Sequence, residues 1–254
     1  MTNYILALRL PIVVLAGLLC LVSFKLSQMQ YFALLPTIFT IFLAGTCMVQ
    51  NDWRDRKQDA LKEKCFALRN ELPFLVFLLI LWSTTIALAA ILMQEQTEFG
   101  WLAVAGVSSG LIYSETRKIP MIPALLVALT SASPTLFPAT VSHSPIVLLL
   151  FLSTALLIFG REILKDVDDV EYDSGYKWTL PVAIGSKQAK VIAGAFILMA
   201  SATSLVLSLR TSLGVALLII SAIYLMTNRN HKTAKKLVDA GVVLSLMSLL
   251  VFGT

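Results

Sequence analysis

Two strings in this chain carry aspartates at one spacing. Asn51-Asp-Trp-Arg-Asp-Arg-Lys-Gln-Asp59 and Lys165-Asp-Val-Asp-Asp-Val-Glu-Tyr-Asp173 each place Asp at offsets zero, three and seven. The residues are Asp52, Asp55 and Asp59, then Asp166, Asp169 and Asp173. At about 100° per residue, an α-helix sets these offsets at about 0°, 300° and 340°, one narrow face. By the same rule Arg56 joins the first face, while Asp168 and Glu171 point away from the second. Either string alone reads as a solvated loop; two with matched spacing ask for a shared ligand. Six carboxylates brought together repel one another, and a hard divalent cation relieves that repulsion. Mg²⁺ takes oxygen ligands, typically one or two carboxylates, with waters and substrate phosphates completing its shell. Two such helices facing each other would hold one or two ions and present them to a diphosphate.

The elements that must position these strings are apolar. Nine apolar segments run at approximately 5–24, 31–50, 72–93, 99–113, 119–139, 145–161, 189–208, 212–227 and 237–253. Each Asp string follows one of them, so the pair reads as a faint internal duplication in which each unit ends in an acid-rich edge. A membrane-spanning helix needs about 20 mostly apolar residues, and most of the chain is built of such stretches. Of the 254 residues 57% are hydrophobic and only 14% charged, with a mean hydropathy of +0.83. These values exclude a soluble enzyme, a nucleic-acid-binding domain and a disordered tail. The expectation is an all-α, polytopic membrane protein forming a single domain over 1–254, with Asp-rich loops at about 51–71 and 161–188.

Charge gives the orientation. Of the 20 basic residues, all but Arg9, Lys25 and Arg210 fall in the loops after the second, fourth, sixth and eighth segments. Cytoplasmic loops are enriched in Lys and Arg, so these loops, the N-terminus and both Asp strings are expected on the cytoplasmic side of a cell membrane. The net charge of +5 then needs no nucleic acid to explain it. Cys20, Cys47 and Cys65 form no CxxC or Cys/His cluster, which excludes a disulfide framework or zinc site. His143 and His231 read as solvated, Trp82 and Trp101 as packing residues or interfacial anchors, and Lys232, Lys235 and Lys236 as a run obeying the charge rule.

The string Asn51-Asp52-x-x-Asp55-x-x-x-Asp59 resembles the first Asp-rich motif of the UbiA superfamily of intramembrane prenyltransferases. Arg161 to Asp173 resembles the second motif, and Thr179-Leu-Pro-Val-Ala-Ile-Gly185 its usual sequel. Tyr113-Ser-Glu-Thr-Arg-Lys118 is similar to the family's Tyr/Lys stretch, and Arg9-Leu-Pro11 to an Arg and Pro in its first helix. The resemblance implies a bundle of about nine transmembrane helices around a central cavity. It implies transfer of a prenyl group from a prenyl diphosphate to an aromatic or lipid acceptor, dependent on Mg²⁺. It assigns Asn51, Asp55, Asp169 and Asp173 as leading metal ligands, with Asp52 and Asp59 supporting the metal. Asp166 and Tyr113 take catalytic places, Arg56, Lys118 and Lys165 contact the diphosphate, and Arg9 faces the acceptor. An aromatic quinone precursor is expected ahead of a glycerol phosphate.

Two alternatives differ in chemistry. A terpene cyclase on the same scaffold would quench the carbocation internally and need no acceptor. A divalent-cation transporter would place acidic groups near mid-membrane, whereas here the helices hold almost no charge beyond Arg9, Glu162 and Asp239.

Overall fold

Prolines and apolar runs set where the helices begin and end. The computed structural model describes residues 2–61, 66–113, 116, 119, 121–173, 175, 178–227 and 230–253, the side chains of Thr2, Gln58, Leu61 and Asp173 excepted. Its helices are α1 (Thr2–Ala7), α2 (Leu10–Leu26), α3 (Leu34–Leu61), α4 (Phe66–Arg69), α5 (Glu71–Glu95), α6 (Thr97–Ile112) and α7 (Ile122–Ala132). Then follow α8 (Ala139–Ser142), α9 (Pro145–Asp173), α10 (Leu180–Ile184), α11 (Ser186–Leu207), α12 (Ser212–Met226) and α13 (His231–Phe252). Among the described residues no strand occurs. Helices occupy all nine apolar segments. Among the described residues, five helical stretches are long and apolar enough to cross a membrane, and Leu10–Leu26 and Ile122–Leu136 are shorter apolar helices. The chain is a multi-pass membrane protein.

The first apolar segment is not one helix, as its hydropathy suggests, but two. Pro11 brings no backbone N–H for the carbonyl of Ala7 four residues back, and its ring crowds that carbonyl, so one helix cannot run through it unbroken. The chain breaks at Arg9, which adopts a left-handed φ of 51° before Leu10 and Pro11 begin α2. The same device recurs at Met121, with φ 65° before Ile122 and Pro123 at the start of α7.

That recurrence extends to the packing. α2, α3, α5 and α6 start at residues 10, 34, 71 and 97; α7, α9, α11 and α12 follow in the same order from 122, 145, 186 and 212. In the first set α3 packs on α2 and α5, and α5 on α6; in the second α9 packs on α7 and α11, and α11 on α12. A hydroxyl pair ties the central helices of each set: Thr46 to Thr85 at 2.9 Å and Ser153 to Ser204 at 2.6 Å. Such interhelical bonds and small-residue contacts hold helices together where lipid removes the hydrophobic drive. Accordingly Ala128, Ala189, Ala193, Ala222 and Ala234 are buried while Leu72, Val206 and Leu213 face outward.

The last helix, α13, lies outside the duplicated sets and closes on α12. The approach is close: a Cβ added to Gly214 would stand 2.6 Å from the Gly241 carbonyl oxygen. At its far end the unsatisfied carbonyls of α13 meet two cations, a favourable end for positive charge. Lys25 Nζ donates to the Leu250 and Val251 oxygens and Arg210 to that of Phe252. These are the two basic residues that the loop count leaves on the opposite side.

Candidate functional site

α3 has 28 residues and α9 has 29. At a rise of 1.5 Å per residue each is about 42 Å long or more, against a hydrocarbon core of about 30 Å. Each therefore exceeds an upright crossing by roughly two turns, and the Asp strings occupy the last turns of each. Both enter the wall of a single cavity of about 450 Å³. From α3 come Asn51, Asp55 and Asp59; from α9 come Lys165, Asp166 and Asp169. Arg9, at the break before α2, and Tyr113, at the end of α6, complete the sequence-expected residues on this wall.

The other expected residues stand elsewhere. Asp52 does not line the cavity; it accepts a 2.7 Å hydrogen bond from the Arg9 guanidinium, whose backbone turn aims it there. Arg56, expected on the same face, is turned away: its Nε donates to Glu71 at 2.9 Å and its guanidinium lies 4.0 Å from the Trp53 ring centroid. The cause is rotation. The arc facing the cavity is centred near Asp55 at about 300°, so Arg56 at about 40° is roughly a right angle away and Asn51 at about 260° is carried in. Lys118 and the side chain of Asp173 lie outside the described residues.

Asp168, expected to point away, borders the cavity while turning towards α13. It accepts 2.8 Å and 3.0 Å contacts from His231 Nε2 and Lys235 Nζ. His231 is thus a hydrogen-bond partner of Asp168, and Lys235 is a cavity residue that the charge rule alone does not single out. Trp82 is a packing residue with a polar duty: its Nε1 donates to Gln50 Oε1 at 2.7 Å, and Gln50 Nε2 donates to the Gly110 carbonyl at 2.9 Å. This buried bridge joins α3, α5 and α6 one residue before Asn51.

Sequence reasoning missed Arg161, Glu162, Trp178 and Thr179, all on the cavity wall. Glu162 is only 8% exposed and accepts from Lys165 Nζ at 3.0 Å, while Arg161 reaches Asp239 on α13 at 2.9 Å. For Glu162 the signal was present, since four residues before Asp166 falls at about 320°, on the Asp face. Lys235, Trp178 and Thr179 come from other elements, and only tertiary packing brings them in.

Carboxylates and an Asn amide are hard oxygen donors, the chemistry Mg²⁺ prefers. Among the described residues no three His, Cys, Asp or Glu side chains converge to hold an ion by themselves. Mg²⁺ needs only one or two carboxylates with water and phosphate, so the donor set on the two helices fits that ion. Arg9, Arg161, Lys165 and Lys235 bring positive charge to the same wall, which suits an anionic ligand between them.

Comparison with known proteins agrees with this architecture. Over 180 residues the chain is 28% identical to the digeranylgeranylglyceryl phosphate synthase of Natronomonas pharaonis, covering 66% of this chain and 62% of that protein. The synthase of the same name from Thermococcus gammatolerans is 29% identical over 188 residues, covering 68% and 67%. The chain thus spans a little under two thirds of the first of these relatives. The apo structure of a UbiA homolog from Aeropyrum pernix K1 shares the fold, with a TM-score of 0.79, 18% identity and coverage of 94% and 97%. A model of the UbiA prenyltransferase family matches residues 10–249, and with the two Asp-bearing helices meeting at one cavity, the chain belongs to that family.

Proposed function

We propose that this protein transfers a prenyl group from a prenyl diphosphate to a lipid acceptor carrying a glycerol phosphate, in the membrane and with Mg²⁺. The observation that carries this is the convergence of the two Asp strings, with basic side chains, on one cavity at the ends of α3 and α9. The choice of acceptor follows the relatives, whose shared name is that of a glyceryl phosphate synthase. It replaces the aromatic acceptor ranked first from the motifs alone.

Asn51, Asp55, Asp59 and Asp169 would hold Mg²⁺, with Asp173 following by its place in the string. When bound, such an ion would supply positive charge to the departing diphosphate. Lys165 and Arg161 supply further positive charge to the leaving group, held in place before the reaction by Glu162 and Asp239. The bonding electrons leave with the diphosphate and an allylic cation remains at C1. Tyr113 presents a ring to that cation, an interaction worth about 0.5–2 kcal/mol. The acceptor hydroxyl, oriented from the side of Arg9, bonds to C1 and gives its proton to Asp166. Apolar wall residues such as Ile12 and Ile163 keep water from the cation. The loop charges support a cytoplasm-facing site in a cell membrane.

The test is mass-spectrometric turnover by purified protein in detergent, with prenyl diphosphates of several lengths and both glycerol-phosphate and aromatic acceptors. A prenylated glycerol phosphate formed only with Mg²⁺ is the expected product. Asp55→Ala and Asp169→Ala should each lower turnover by roughly 100-fold or more while circular dichroism stays helical. Prenylated aromatics alone would overturn the acceptor assignment, and near-normal activity of both variants would overturn the metal assignment. Diphosphate consumed without any adduct would mark a cyclase.

A further inference from the structure

Among the described residues, Thr37, Thr40, Thr179 and Ser245 have buried hydroxyls without a hydrogen-bond partner. Of these only Thr179 lines the cavity. It is 9% exposed and sits at the N-cap of α10, where a threonine ordinarily turns its hydroxyl onto the helix's own N–H groups. Here its side chain makes no such bond. Leaving a buried hydroxyl unsatisfied is costly, and native structures seldom do so without a reason. Thr179 shares this wall with charged side chains that include Lys165, Asp169 and Lys235, and its hydroxyl is a neutral donor.

We propose that Thr179 is a substrate-binding residue whose hydroxyl donates a hydrogen bond to a phosphate oxygen of a bound substrate. The inference rests on the prenyl diphosphate chemistry above and adds to it a recognition group outside the two Asp strings. A short neutral donor suits this task beside Lys165 and Lys235. It ranks substrates by the position of an oxygen, where a flexible ammonium responds chiefly to charge. Phosphate oxygens occur on both substrates, as the diphosphate of the donor and as the monoester of the lipid acceptor.

Thr179→Val keeps the side-chain shape and removes the donor; Thr179→Ser keeps the donor. Binding is read without turnover, by thermal-shift titration of the intact protein in detergent with Mg²⁺. The probes are a non-hydrolysable prenyl thiolodiphosphate and a prenyl glyceryl phosphate. Thr179→Val should weaken one probe by about tenfold, with Thr179→Ser within about threefold of wild type for both. Ligand-free Thr179→Val should melt no lower than wild type, because an unsatisfied buried hydroxyl has been removed. Loss on the thiolodiphosphate assigns the bond to the donor, and loss on the glyceryl phosphate assigns it to the acceptor. Unchanged affinity of folded Thr179→Val for both probes overturns the proposal. So does a lowered ligand-free melting temperature with Thr179→Ser equally weak, which marks a structural residue. If wild type transfers no prenyl group yet binds a probe in a Thr179-dependent way, the activity fails and this inference stands.

Discussion

Arg56 and Asp52 show how one helical step changes a residue's role. Arg56 sits within an Asp string, yet Glu71 and Trp53 hold it away from the cavity. An ion pair of this exposure contributes at most about 1 kcal/mol. Arg56→Ala is therefore expected to change kcat/KM by less than about fivefold, measured beside Asp55→Ala. A larger loss with unchanged folding would return Arg56 to the diphosphate. Asp52 holds Arg9 from behind the wall, while Asn51 lines it. The Asp offsets pointed to the ends of α3 and α9, and the cavity takes residues from both, with the arc of α3 that faces it rotated so that Asn51 lines it and Arg56 does not. What they lacked was the rotational setting of α3, which its neighbours fix. Lys235 was harder still: its place on the wall depends on α13 reaching Asp168, a contact between residues far apart in the chain.

The helices themselves were largely legible, because apolar length is written locally in the sequence. The break at Arg9 was less so, although Pro11 marked it. How α3 is held was not legible at all. Gln50 reads as one more polar residue at the end of an apolar run, but both ends of its amide are used, by Trp82 and by the Gly110 carbonyl. Gln50→Leu would leave both partners unsatisfied in a buried setting and lower stability by about 1–2 kcal/mol. The measurement is the melting temperature in detergent, with Gln50→Glu as a comparison that keeps an acceptor for Trp82. Since Tyr113 is the C-cap of α6, the same bridge fixes the spacing between that residue and the first Asp string. A wild-type melting temperature in Gln50→Leu would show that the bridge carries no load.

At the scale of the molecule, the two helical sets repeat in order, in packing and in the left-handed turns at Arg9 and Met121. The repetition brings both acid-rich ends to one side, where the sequence hinted at it only through the matched Asp spacing. The cavity thus lies at the ends of α3 and α9, with charged side chains and apolar residues such as Ile12 and Ile163 sharing its wall. The long-tailed substrates of the proposed reaction would meet the protein by diffusing sideways within the sheet of lipid. The relevant concentration becomes their mole fraction among lipids, not their amount per volume of buffer. Diluting both substrates with inert phospholipid in liposomes should slow the rate, while adding buffer at a fixed lipid composition should leave it unchanged. For the proposed reaction, a cell would then set the pace by altering how crowded the membrane is with other lipids, without changing the protein.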